Sequence, residues 1–297
     1  MKVNSFEEVI ALIEQCIEQY NPESEYNSNN EFMTTSVNAA SLVLNYSKFL
    51  FKKINKEFEI TKATDALVLG TMVRAYKILD AITYFCCEHR ADIASMLWRM
   101  LFESCVMVMH YTDIQPKNRK KYLIASYREV KGRYKDLLKK EEERGLNDIE
   151  KRMYNAIEES IKFDSLEVKD ILVKKVKDVN VENMIKDYYS DEAYTHSYKS
   201  ACSAVHGKWQ DIRNQYLYLE DDRYLLKIGD LTPDPRYLMP HTIAYLNALL
   251  KFVRWLKIVD GKRNWEILQN LLNICVDIDT KHEAKYSDVY KAKYGEN

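Results

Sequence analysis

A chain of 297 residues, 46% of them hydrophobic, is long enough for one large or two ordinary domains with a substantial core. Its formal net charge of -1 excludes a global field that would draw it to nucleic acid or anionic lipid, so any nucleic-acid site has to be a local basic patch. Seven glycines and five prolines are too few for a turn-rich β fold, and the abundance of Lys, Glu, Leu, Ala and Met favours helix, so the expected fold is an all-α multi-helix bundle.

In chain order, Ser5 and Glu8 form a capping box ahead of the apolar positions Val9, Ile10, Ile13 and Ile17. This first helix stops near Tyr20, before Asn21-Pro22, and the polar stretch PESEYNSNNE reads as a linker. Residues 1–24 are therefore taken as an N-terminal helix and 25–297 as a single helical domain, with a charged, protruding helical region at about 116–190. Long helices are expected at 31–56, 61–88 and 92–111. Pro116 starts a charged helix that runs to Gly145. Its bases and acids nearly balance, so it reads as a solvated face, although the interleaved tyrosines also fit RNA contact. Shorter charged helices follow at 147–190, then a helix over 191–215. The segment YLYLEDDRYLLKIGDLTPDPRYLMP holds three of the five prolines and a β-like pair, YLYL and YLLKI, that fits a small hairpin. Helices resume at 240–259 and 264–279.

The six cysteines (Cys16, Cys86, Cys87, Cys105, Cys202, Cys275) show no framework spacing and no C-x-x-C, which fits reduced thiols in a cytoplasmic protein. The N-terminal apolar segment contains acids and is not a signal peptide. The most apolar segment, 91–111, carries Asp92, Arg99, Glu103 and His110, so no membrane span is expected. No P-loop, G-x-G-x-x-G, H-E-x-x-H or G-x-S-x-G occurs. The run CCEHR at 86–90 has no second ligand pair nearby, so no metal or cofactor is expected.

Two polar stripes stand out. At about 100° per residue, Asp92, Arg99, Glu103 and His110 fall within roughly 60° on an otherwise greasy rod, and Arg99 and Glu103 can pair at i, i+4. Such charges need partners, a wet cleft or a subunit interface. In YKSACSAVHGKWQDIR, residues 198–213, a continuous helix would place Lys199, Ser203, His206, Gln210 and Arg213 within roughly 80°. A histidine among cations and hydroxyls suits a phosphate, and Tyr198, Ala201, Val205 and part of Trp209 face the other way and can pack. Gly207 admits two readings. Either it lets a backbone or ligand approach beside His206, or it ends the helix, in which case Gln210 and Arg213 do not align with His206.

The pair LWRMLFE, with Arg99 and Glu103, and SAVHG, with Ser203 to Gly207, resembles an uncharacterised family of bacterial helical proteins similar to distant HEPN (higher eukaryotes and prokaryotes nucleotide-binding) domains. The resemblance implies a HEPN-like core with additional helices, a homo-oligomer, and an anti-phage defence or toxin-type, metal-independent ribonuclease acting on RNA. On that reading His206 handles the proton, Arg99 binds phosphate and Glu103 orients it or His206, while Ser203, Lys199, Gln210 and Arg213 contact substrate. HEPN nucleases carry Arg-x-x-x-x-His, but Ala201 stands five residues before His206. A literal match at Arg236–His241, RYLMPH, contains Pro240, which places Arg236 ahead of the helix starting near His241. The alternative is a non-catalytic helical module that binds a nucleotide or a partner protein.

Overall fold

The computed structural model describes residues 5–172, 180–191, 198–206, 208–221, 223–227, 234–257 and 261–294, without the side chains of Ser200, Ser203, Gln210, Asp211 and 290–294. It is an all-α assembly with one small hairpin. Two compact units divide the chain, the first made of residues 1–58, 71–109 and 182–297, the second of 59–70 and 110–181. The N-terminal helix belongs to the first unit, and most of the charged 116–190 stretch belongs to the second.

Helix α1 (Phe6–Gln19) begins as its sequence dictates, with the Ser5 hydroxyl accepting the Glu8 N–H at 3.1 Å. In the same unit lie α2 (Asn29–Glu57), most of α3 (Ala63–Cys87) and most of α4 (Ala91–Asp113). The CCEHR run is the turn between α3 and α4. His89 adopts φ 55°, and the Arg90 N–H closes the helix end on Phe85 O at 2.8 Å. The unit is completed by α9 (Val181–Tyr188), α10 (Lys199–Val205), α11 (Trp209–Tyr216), α12 (Met239–Leu256) and α13 (Gly261–Tyr294). Strands β1 (Leu217–Glu220) and β2 (Arg223–Leu226) form the antiparallel hairpin that the YLYL and YLLKI pattern allows, with Leu217 opposite Leu226.

Helix α12 is the centre of this unit. It buries Tyr245, Leu246, Ala248, Leu249, Phe252 and Val253, each large side chain contributing about 2 kcal/mol of burial. It packs on α13 and α2, where the Tyr245 hydroxyl donates to Ser47 Oγ at 2.9 Å. α13 runs to Tyr294, well beyond the expected end near 279, and the buried period of Leu271, Leu272, Cys275 and Ile278 continues past that point to His282.

The second unit holds α5 (Pro116–Ser126), α6 (Arg128–Arg144), α7 (Asp148–Phe163) and α8 (Val168–Leu172). The single helix expected from Pro116 to Gly145 is in fact two, interrupted at Tyr127. The buried Tyr127 donates its hydroxyl to Asp164 at 2.6 Å, a tertiary bond that overrides a continuous helix. Tyr134, Leu137, Ile157 and Ile161 fill the core between α6 and α7, and Asn147 and Glu150 form a full capping box on α7. Arg119 is buried. Its Nη1 donates to Asp65 Oδ1 at 2.5 Å and to the Thr64 carbonyl at 3.2 Å.

Removing Arg119 takes a cation from the partly exposed Asp65 carboxylate and a hydrogen bond from the Thr64 carbonyl. Arg119→Ala is expected to cost about 1–2 kcal/mol, read as a fall in the urea midpoint. A change below about 0.5 kcal/mol would show that the pair holds nothing.

Candidate functional site

The first polar stripe is satisfied piece by piece. Asp92 accepts from Arg90 Nε at 3.3 Å, and His110 shares a 2.6 Å hydrogen bond with the Tyr122 hydroxyl in the second unit. In the middle, Arg99 Nε donates to Glu103 Oε1 at 2.8 Å, as the i, i+4 spacing predicts. The same oxygen accepts from the Tyr198 hydroxyl at 2.7 Å, and the Arg99 guanidinium carbon lies 5.3 Å from the Tyr198 ring centre. Burial and the Glu103 bond push the Tyr198 phenol well above its usual range, and the Glu103 bond raises Arg99 further.

The second stripe does not exist as one line. α10 ends at Val205, Lys208 is extended (φ -65°, ψ 149°), and α11 starts afresh at Trp209. α10 therefore ends just before His206, and Lys199 and Arg213 lie on separate helices. Gly207 lies outside the described residues, as do the side chains of Ser203 and Gln210. His206 is exposed and caps α10, its backbone N–H bonding Cys202 O at 3.2 Å. Lys199 is exposed on the first turn, and the exposed Arg213 reaches Asn214 Oδ1 at 3.4 Å. Among the described residues, no hydrogen bond or ion pair joins His206 to Arg99 or Glu103.

What α4 and α10 do build together is a cavity of about 300 Å³ in the first unit. Trp98 and Phe102, one i, i+4 step apart on α4, form one wall, and Tyr198 and Ala201 of α10 form another. The first turns of α12 supply Pro240, His241, Ile243 and Ala244, with Tyr189, Arg236 and Asp279 completing the lining. The side of α10 that packs is thus the side that faces the cavity, not the side that carries His206.

The aromatic walls are fixed by specific contacts. Trp98 stacks on the His241 imidazole with ring centres 4.2 Å apart, and its Nε1 donates to the Tyr237 carbonyl at 3.4 Å. Phe102 stacks on Tyr189 at 4.8 Å, and the Tyr189 hydroxyl donates to the Ala244 carbonyl at 3.3 Å. Arg236 sits in a single 3-10 turn, Pro235–Tyr237, ahead of α12, where the Pro240 position places it. Asp234 takes it with both oxygens, at 3.0 and 2.5 Å, and its guanidinium carbon lies 4.2 Å from the Tyr286 ring centre.

The polar groups here are strongly tuned. Burial pulls His241 down to about 3, and its Nδ1 is sealed with no hydrogen-bond partner among the described residues, so the ring is neutral at physiological pH. Burial, then Glu283, pushes Asp279 up to about 6. The cavity therefore combines four aromatic walls with a neutral imidazole and a carboxylate that titrates near neutrality. It suits a flat ligand with a polar edge. Among the described residues, no cluster of three His, Cys, Asp or Glu is placed to hold a metal, and no helix is long and apolar enough to cross a membrane.

Arg99 and Glu103, singled out in the sequence, touch the cavity wall through Tyr198 but do not line the cavity, and its lining residues Trp98, Phe102, Tyr198, His241 and Asp279 were not among the expected site residues. The signal for Trp98 and Phe102 lay inside LWRMLFE itself, as a second i, i+4 pair beside the charged one. His241 was visible only through its spacing from Arg236.

The His241 shift has a sign that can be tested. The unfolded chain takes up a proton below about pH 6.5 that the folded cavity refuses, so stability falls as pH falls from 6.5 towards 3. Asp279 contributes with the opposite sign below about pH 6. Between pH 6.5 and 5, wild type is expected to lose about 2 kcal/mol relative to His241→Leu in denaturant titrations. Parallel pH profiles of the two proteins would contradict the buried neutral imidazole.

Residues 65–224 match one protein family, described as a family of unknown function (DUF5677). The match takes in the α4 and α10 walls of the cavity, whereas Arg236, His241 and Asp279 lie outside it. No curated protein and no solved structure gives a match.

Proposed function

The chain belongs to the DUF5677 family, and we propose that the cavity of its first unit binds a nucleobase or nucleoside, in a non-catalytic helical module of HEPN-like kind. The observation that carries this reading is the aromatic cavity itself. Trp98, Phe102, Tyr189 and Tyr198 line it with aromatic surface suited to a flat ring, His241 adds a neutral imidazole to the wall, and Asp279 adds a hydrogen-bonding group for the ring's edge. A volume of about 300 Å³ suits a ligand of that size rather than a polymer. The HEPN resemblance supports the same ligand class. In a defence or toxin setting, such a module would act as the sensing part.

A metal-independent ribonuclease is the competing reading, because Arg236 and His241 keep the five-residue HEPN spacing and both line the cavity. The chemistry weighs against it. Moving a proton on a ribose hydroxyl near neutral pH calls for a group that titrates there, and a buried imidazole lowered to about 3 is a weak base. Arg236 is already held by both oxygens of Asp234, which blunts it as a phosphate clamp. His206, the other candidate base, is exposed and not bonded to Arg99 or Glu103.

Thermal-shift titration with adenosine, guanosine, cytidine and uridine is expected to raise the melting temperature saturably for at least one of them. Trp98→Leu, which keeps an apolar side chain but loses the ring, should weaken that binding by about 1–3 kcal/mol. In EDTA, neither wild type nor His241→Asn should cleave RNA. Cleavage by wild type that is lost in His241→Asn would replace this reading with the ribonuclease.

A further inference from the structure

The donors that line the aromatic cavity are already engaged by the protein. Trp98 Nε1 donates to the Tyr237 carbonyl, the Tyr189 hydroxyl to the Ala244 carbonyl, and the Tyr198 hydroxyl to Glu103. Arg236 turns its Nε and Nη2 to Asp234 and lies over the Tyr286 ring. The His241 Nδ1 is sealed from solvent. What remains is an acceptor. Asp279 is the one carboxylate lining the cavity among the described residues, and no hydrogen bond or ion pair from those residues reaches it.

Its place on α13 accounts for this. Asp279 follows the buried Ile278 and lies one turn from the buried Cys275 and His282, so it sits at the margin of the packed face of the helix. One turn further on, at i+4, stands Glu283, a like charge and not a donor. Burial, then Glu283, holds the carboxyl up at about 6, the direction expected of a charge that no donor meets. Above that value it is ionised, and both of its oxygens only accept.

An acceptor without donors around it selects a ligand that brings them. A carboxylate can take two parallel bonds from two adjacent N–H groups. Of the common bases, guanine offers that edge, with its N1–H beside its N2 amino group. Adenine and cytosine each present an amino donor beside a ring-nitrogen acceptor, and uracil presents one N–H between two carbonyls. Each of these would set a lone pair against an ionised carboxylate. We propose that Asp279 sets the specificity of the cavity, accepting the N1–H and N2–H of a guanine base. The proposal rests on the nucleoside reading of the same cavity and adds the identity of the base.

The test is isothermal titration of the full chain at pH 7.5 with guanosine, inosine, adenosine, cytidine and uridine. Inosine keeps the N1–H and lacks the N2 amino group, so it should bind about tenfold more weakly than guanosine, as expected for one lost charge-assisted hydrogen bond. Adenosine, cytidine and uridine should also bind more weakly than guanosine. In Asp279→Asn the amide has the same shape but offers one acceptor and one donor. Guanosine should then weaken about tenfold or more, whereas adenosine, whose amino group and N1 match an amide, should hold or gain. The exchange removes a desolvated charge, so the unliganded melting temperature should hold or rise. A uniform loss across the five nucleosides would mark a structural role and overturn the assignment. So would a wild type that binds adenosine, cytidine or uridine as tightly as guanosine, or an Asp279→Asn protein that keeps the wild-type preference; either result leaves the nucleoside cavity standing. Binding of no nucleoside by wild type would overturn the cavity reading, and this assignment with it.

Discussion

Glu103 lies on a helix with few other charges, and its carboxylate is only partly reached by water, so its position demands partners. Arg99 from the same helix supplies one and the Tyr198 hydroxyl supplies the other. The second partner matters most for the architecture, because Tyr198 opens α10 and the bond fastens that short helix to α4. With α10 fixed there, Tyr198 and Ala201 face Trp98 and Phe102 across a gap that the start of α12 closes. Two interleaved i, i+4 pairs on α4 thus divide the work. The charged pair holds the neighbouring helix, and the aromatic pair faces the space left between them.

In the aromatic cavity the one arginine is neutralised by Asp234, the histidine is kept neutral by burial, and a carboxylate is present. Such a site discriminates by shape and hydrogen bonding more than by charge. Along the far half of α12, Arg254 lies over the Trp265 ring and Lys251 over that of Tyr188. Tyr189 lines both the aromatic cavity and a second cavity beside this half of the helix.

Much of the fold was legible because it follows from short-range rules. The low glycine and proline count, the Ser5 cap and the apolar periods of α1 to α4 correspond to helices found within a few residues of where they were expected. The misses came at breaks inside what reads as one helix. Tyr127 leaves the α5–α6 line where its hydroxyl meets Asp164, and α10 ends at Val205 before α11 starts at Trp209, which breaks the second stripe. The pairing of Arg99 with Glu103 was readable from spacing alone. That Tyr198, ninety-five residues away, would share their carboxylate was not, since it depends on where a seven-residue helix docks. His241 was hidden for a similar reason: its neutrality comes from burial against Trp98, a long-range contact that no local motif announces.

The central claim, that the α4–α10–α12 cavity takes a flat nucleoside-type ligand, is tested most directly at the Trp98 indole. Its Nε1–H resonance, assigned by comparison with Trp98→Leu, would be followed while nucleoside is titrated into the labelled protein. The account predicts a saturable shift of that resonance, with those of Trp209, Trp255 and Trp265 little changed. No shift of Trp98 up to millimolar nucleoside, or a shift confined to the other indoles, would contradict it.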